Sequence, residues 1–299
     1  MKHYFESNDH RRDFLSGVLS GQVSLKFAYA GSSARTHDSL ARSDGYRSVT
    51  LAAELEAALL STQELPRARL SLIDVGSGNG DHTIGLLSRL LAHGFILERL
   101  TLCDFSEELM SMASERIADA FPKLTTRSMV WDIELTSLDL TGDWSEDSVL
   151  LLVGHTIGNP DRPDRVLQHL RASVPDGAPL LLSVSLRSSD LGEADVLMPY
   201  RTDVFESAVL EPFLALGIRR EALEFEVSFE ADSVIGIVTL VEQANIDGAV
   251  IPSGHRTLAF KSKRFAASEV FALLESARWR PIASRVDNGH LAIFARAVS

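Results

Sequence analysis

The chain has a single cysteine, Cys103, among its 299 residues. Neither an intramolecular disulfide nor a cysteine-rich metal site can be built from one thiol, and no metal site is expected. Positive charge is also scarce: 29 Lys and Arg stand against 41 Asp and Glu, a formal net charge of -12. Nucleic-acid phosphates require a basic surface, so this balance argues against such a partner. A local basic run, Lys261-Ser262-Lys263-Arg264, reads as a solvated strand end. No apolar run approaches the roughly 18 residues needed to span a membrane. The opening segment MKHYFESNDHRRDF lacks the apolar stretch of a signal peptide. These absences lead to the expectation of a cytoplasmic protein with no membrane partner. Internal repeats, low-complexity linkers and coiled-coil heptads are lacking too, which suits a monomer or homodimer.

Apolar residues make up 45% and charged residues 23% of the chain, enough for a substantial core in one large domain or two unequal ones. From residue 69 to about 184, short apolar runs alternate with amphipathic segments. RLSLIDV, LERLTLCDF, TRSMVWDI, SVLLLVG and APLLLSVSL read as strands; HTIGLLSRLLAHG, SEELMSMASERIADAF and DRVLQHLRASV read as helices. Such alternation predicts an α/β fold, a doubly wound, mainly parallel sheet with right-handed crossovers. Helices are expected around residues 11–19, ended by Gly21, and in two pieces over 32–62, broken near Asp44-Gly45. After residue 188 the rhythm changes to one helix and two β-rich runs, the mark of an inserted α+β subdomain. The tail returns to a helix and two strands joined at Asn288-Gly289, a strong hairpin signal. The expected division is an N-terminal helical cap (1–65), a cofactor-binding core (66–187), an insertion after the fifth strand (188–253), and a tail (254–299) completing a seven-stranded sheet.

The first strand runs into DVGSGNGDHT, which is Asp74-x-Gly76-x-Gly78-x-Gly80 opening onto a helix. In a doubly wound sheet this turn is where a ligand lies, against a helix N-terminus. The glycines alternate, so this is not the dinucleotide fingerprint G-x-G-x-x-G. Asp104 ends the second strand, where a ribose-binding carboxylate belongs, and Asp132, next to Trp131, ends the third, where it can accept from an adenine amino group. The acid, the three glycines and the two later aspartates together resemble the class I S-adenosylmethionine-dependent methyltransferases, with a Rossmann-like sheet. That resemblance makes Asp74, Gly76, Ser77, Gly78, Gly80, Asp104, Phe105, Trp131, Asp132 and Gly154 the expected cofactor-binding set and S-adenosyl-L-methionine the cofactor.

The fourth strand ends in GHTIGN, Gly154 to Asn159, spending two glycines, a hydroxyl and an amide at one tip. This closely resembles the Gly-x-Thr-Ile-Gly-Asn motif of the histidine-specific α-N-methyltransferases of ergothioneine biosynthesis. The resemblance implies that Asn159 binds the carboxylate of an amino-acid substrate, with Thr156 beside it. Upstream, FAYAGSSARTHDSLARSDGYRS is similar, with gaps, to a second segment of that family. Tyr46 then matches the tyrosine that shares the carboxylate, and Tyr29 the one near the substrate amine. A tyrosine hydroxyl and an asparagine amide are neutral donors, able to orient a carboxylate without adding a cation near the sulfonium. In the run TLAFKSKRF, Ser262 and Phe265 are in register with the family's last motif. Phe260, however, stands where the family has a glutamate that holds imidazole, and Ser183-x-Ser185 stands where it commonly has an aspartate. The reading is an N-methyltransferase of secondary metabolism acting on a small amino-acid-like molecule other than histidine, with Tyr29, Tyr46 and Asn159 as catalytic candidates and Tyr46, Thr156, Asn159, Phe260 and Ser262 around the substrate. The alternative is an enzyme that cyclises S-adenosylmethionine itself to azetidine-2-carboxylate and 5′-methylthioadenosine.

Overall fold

The computed structural model describes residues 4–5, 7–29, 33–42, 52–65, 69–140, 142, 144–187 and 193–299. Tyr46 and the break expected near Asp44-Gly45 lie outside them. The chain starts with α1 (Asn8–Ser20), whose first turn is capped by the Ser7 hydroxyl and whose end is closed by Gly21. A 3-10 turn (Leu25–Tyr29) and α2 (Ser33–Ala41) follow. Next comes α3 (Ala53–Ser61), then β1 (Leu70–Val75), α4 (Asp81–Ala92), β2 (Leu97–Asp104), α5 (Glu107–Ala120) and β3 (Thr125–Val130). Ser106 caps α5 by accepting from the Leu109 N–H, as its place before an acidic first turn suggests. β4 (Ser148–Leu152), a short 3-10 turn (Thr156–Gly158), α6 (Pro163–Ala172) and β5 (Pro179–Ser185) complete the alternation. The inserted stretch holds α7 (Glu193–Leu197), α8 (Asp203–Ala215), β6 (Leu223–Glu230), β7 (Ser233–Leu240), β8 (Ala244–Ile246), β9 (Ala249–Ile251) and β10 (Arg256–Lys263). The tail is α9 (Ala267–Ser276), β11 (Trp279–Asp287) and β12 (His290–Ala297).

The chain divides into two compact units, Met1–Ser48 with Ser189–Lys263, and Val49–Ser188 with Arg264–Ser299. The larger unit is built on a mostly parallel sheet of order β11-β12-β5-β4-β1-β2-β3, with β12 antiparallel to β5 and β11. Every residue of β1, β4 and β5 is buried, which is why these strands read as unbroken apolar runs. Alternate side chains feed two cores. Ile73, Leu150 and Leu152 face one that includes α6 and α9, and Leu72, Val149 and Leu151 face one that includes α3, α4 and α5. Strand order reverses between β1 and β4, so the carboxyl ends of these strands form the switch point, the place where sheets of this kind bind their ligands.

The smaller unit carries the antiparallel sheet β10-β7-β6 and the β8-β9 hairpin. It extends to Lys263, past residue 253 expected from the sequence, because β10 pairs along β7 from Arg256 opposite Thr239 to Lys263 opposite Ser233. At the other end it stops at Ser48 rather than 65. The apolar side chains of α3 belong to the larger unit, where Ala57 and Leu60 are fully buried against the sheet.

Candidate functional site

The loop between β1 and α4 is fastened to the next strand by Gly76 and Ser77, whose N–H groups donate to the Cys103 carbonyl at 2.8 and 3.3 Å. Gly76 has φ +75, and a Cβ there would lie 2.4 Å from the Thr156 methyl. The residue therefore has to be glycine twice over, once for its backbone and once for its neighbour. Gly76→Ala is expected to cost about 2–4 kcal/mol, left-handed strain plus overpacking, in chemical denaturation. A loss below about 1 kcal/mol would show that Thr156 moves aside easily. Gly78, at φ +53, is different: a Cβ there would meet nothing within 4 Å, so the loop presents open space at its tip. A Cβ at Gly80 would instead press on Ala113 of α5, at 2.9 Å. The Ser77 hydroxyl is buried and makes no hydrogen bond among the described residues. A buried hydroxyl with no partner next to open, glycine-lined backbone is what a polar ligand on this loop would satisfy.

Two acids frame the loop. Asp74 is buried, accepts from the Thr83 hydroxyl at 2.6 Å, and has its carboxyl pushed up to about 6. Burial is the main cause; Thr83 and His82 pull the value down, and the charges of Glu56 and Asp104 push it up. The sign follows from the folded value lying above the ordinary 3.8. Asp74's contribution to stability is complete below the unfolded pKa and is lost as pH rises through about 6. Asp74→Asn should flatten that fall, a change on the order of 1–3 kcal/mol between pH 4.5 and 7 in ligand-free unfolding. Equal slopes for both proteins would contradict it.

Asp104, at the end of β2, is buried and takes the Gly78 N–H at 3.0 Å on Oδ2 and the Ser106 N–H at 3.0 Å on Oδ1. Burial raises its pKa, and the backbone N–H groups of Ser106, Gly78 and Phe105 oppose the rise. The carboxylate thus stitches the glycine loop to the start of α5 and still has lone pairs to offer. Phe105 beside it is half-buried. Asp132 is half-buried and accepts from the Glu134 N–H at 3.1 Å. Trp131 is a core residue: its N–H donates to the Asp104 carbonyl and its indole N–H to the Thr136 carbonyl.

Beyond β4 the backbone turns sharply. Gly154 donates its N–H to the Ser183 hydroxyl at 3.1 Å. His155 is buried in the left-handed region, at φ 67, and its Nδ1 accepts from the Ser185 N–H at 2.9 Å, so a neutral ring carries its proton on Nε2. Thr156 gives its hydroxyl to the Val153 carbonyl at 2.8 Å, and its methyl fills the space over Gly76. Asn159 is half-exposed, and its side-chain amide makes no hydrogen bond among the described residues. Of the expected substrate residues, Thr156 and Asn159 therefore lie on the same turn in the larger unit.

Tyr29, Phe260 and Ser262 belong to the smaller unit. The Tyr29 ring meets His37 edge-on at 4.3 Å. Burial draws the His37 pKa down to about 4. Phe260 is buried, edge-on to Phe205 at 4.9 Å and tilted against Tyr200 at 5.4 Å; Ser262 is buried opposite Val234.

The sequence reading missed Glu56. It lies on α3 with no exposure, its Oε2 2.8 Å from His82 Nε2 and its Oε1 accepting from the Ser183 hydroxyl at 2.5 Å. A signal was available, because Ala53, Glu56 and Leu60 recur at helical spacing on an apolar face where a glutamate is out of place. Among the described residues no group of three or more His, Cys, Asp or Glu side chains is arranged to hold a metal ion. No helix is long and apolar enough to cross a membrane.

A large, mostly parallel sheet with a glycine loop and an acid at its switch point is consistent with a Rossmann-like methyltransferase fold. The family model described as histidine-specific methyltransferase, SAM-dependent, matches residues 50–203. The chain belongs to that family and is a SAM-dependent methyltransferase, with S-adenosyl-L-methionine as its cofactor. No curated protein matches the chain in sequence. Similar solved structures include a S-adenosylmethionine-dependent methyltransferase from Clostridium acetobutylicum, at 12% identity, covering 89% of this chain and 98% of that one with a TM-score of 0.47. Another is a 1,6-didemethyltoxoflavin-N1-methyltransferase from Burkholderia thailandensis, at 15% identity, 90% and 89% coverage and a TM-score of 0.47. The mitomycin 7-O-methyltransferase MmcR shares 15% identity over 98% of this chain and 69% of its own, with a TM-score of 0.50. This last likeness is one of fold alone.

Proposed function

We propose that the enzyme N-methylates a small amino-acid-like molecule other than histidine, in secondary metabolism and in the cytoplasm. The observation that carries this reading is Asn159. Its amide, on the turn that packs over the glycine loop through Thr156, makes no hydrogen bond among the described residues. An amide so presented is a neutral donor suited to an acceptor's carboxylate. Bound S-adenosylmethionine supplies an electrophilic methyl group on a sulfonium. Ser77 and Gly78 would hold the donor's amino-acid end, Asp104 its ribose and Asp132 its adenine. Asn159 would orient the acceptor's carboxylate, and such alignment can supply about 7–11 kcal/mol of barrier lowering.

Phe260 supports an acceptor other than histidine. It stands where the sequence resemblance calls for an imidazole-binding glutamate, and its ring is packed against Phe205 and Tyr200. A phenyl ring cannot replace a carboxylate as an acceptor, and an imidazole N–H left without its partner loses affinity. With a panel of amino acids, kcat/KM for histidine is expected to be at least about tenfold below that of the best apolar or aromatic amino acid. Histidine as the best acceptor would overturn this substrate assignment.

A further inference from the structure

The carboxylate of Glu56 is fully buried at the sheet's switch point, and both of its oxygens are engaged. One meets His82 in the first turn of α4, directly after the glycine loop. The other takes the hydroxyl of Ser183 on β5, which in turn accepts the Gly154 N–H at the end of β4. The His82 ring lies against Gly154 as well: a Cβ built there would be 3.5 Å from His82 Cγ. One side chain from α3 therefore ties together the tips of β4 and β5 and the start of α4. It is also felt at the loop acid, since the charges of Glu56 and His82 both act on Asp74.

A buried carboxylate is a poor device for stability alone, because its desolvation offsets most of what its pairing returns. Its use here is geometric. We infer that Glu56 is a positioning residue for methyl transfer, holding through Ser183 and His82 the Gly154 turn that carries Asn159. The inference rests on the proposed role of Asn159 in acceptor binding. Apart from the Ser183 link, His155 Nδ1 accepts from the Ser185 N–H at 2.9 Å, and among the described residues the turn's backbone bonds are local: Thr156 N–H to the Val153 carbonyl at 3.4 Å, Gly158 N–H to the His155 carbonyl at 2.9 Å and Asn159 N–H to the Thr156 carbonyl at 3.2 Å. The local bonds shape the turn, and its place on the sheet is set by the Glu56–Ser183 link together with the His155 bond to β5.

The test uses the full-length chain as Glu56→Gln, Ser183→Ala and the double variant. Glutamine keeps the size of the side chain but cannot accept from both His82 and Ser183. Ser183→Ala removes the hydroxyl that bridges Glu56 and Gly154 while leaving the Glu56–His82 contact, and it keeps the test open if Glu56→Gln folds poorly. Amide hydrogen exchange over residues 154–160 is expected to quicken about tenfold in each single variant, with no comparable change in β1, and no further gain in the double variant. With the acceptor found by the panel, kcat should fall about tenfold while the KM for S-adenosylmethionine stays within about twofold. Unchanged exchange over 154–160, or acceleration spread evenly over the whole sheet, would overturn the inference. If the wild-type enzyme methylates no amino acid, the proposed function fails, and the exchange result still decides whether Glu56 holds the turn.

Discussion

Replacing Asp104 with alanine is expected to weaken S-adenosylmethionine binding by roughly 10- to 150-fold, the equivalent of about 1.5–3 kcal/mol for a hydrogen bond to a charged group. Two losses add here. The ribose would lose its carboxylate partner, and the N–H groups of Gly78 and Ser106 would lose their acceptor at 3.0 Å each. The second loss also frees the glycine loop from α5, so ordering it becomes part of the cost of binding. Asp104→Asn separates the terms, because the amide oxygen can still accept from one of the two N–H groups while the charge is gone. Calorimetric titration of both variants with S-adenosylmethionine is the measurement. An affinity within about threefold of wild type for Asp104→Ala would show that this acid only shapes the loop.

Asn159→Ala is expected to act on the other substrate. The variant should lose about 10- to 100-fold in kcat/KM for the amino-acid acceptor, again on the scale of a hydrogen bond to a carboxylate. Donor affinity should stay near the wild-type value. The protein itself should tolerate the change, since the side-chain amide makes no hydrogen bond among the described residues and is half-exposed. An acceptor lacking the carboxylate charge, such as the methyl ester, gives the internal control: the variant and the wild type should treat it nearly alike. Collapse of donor binding with acceptor binding intact would reverse the assignment.

The strands of the switch point were readable from the sequence because they are central. Parallel strands buried on both faces must be apolar at every position, and LSLIDV, SVLLL and PLLLSVS come close to that. The β11–β12 hairpin was readable from two residues, Asn288 at φ 46 and Gly289 at φ 75, since few other residues take that backbone. The glycine loop belongs to the same class, a local conformation with a local signature. What could not be read depends on partners far away in sequence. Glu54 and Glu56 sit two apart on α3, one exposed and one with no exposure; helical spacing sets Glu56 on the apolar face, but its partners His82 and Ser183 come from distant segments. The end of the smaller unit at Lys263 is likewise set by the pairing of β10 with β7 and not by any break in composition. His155 shows the limit within a motif. Its residue type is plain in GHTIGN, yet its left-handed backbone and its bond to Ser185 arise from the fold.

The proposed methyl transfer to an amino-acid-like acceptor can be read from its products. The enzyme is incubated with S-adenosylmethionine labelled in its methyl group, alone and with each member of an amino-acid panel, and products are resolved by mass spectrometry. S-adenosylhomocysteine and a labelled N-methyl amino acid are expected, both appearing only when an acceptor is present. Release of 5′-methylthioadenosine from S-adenosylmethionine alone, with no labelled acceptor, would contradict methyl transfer.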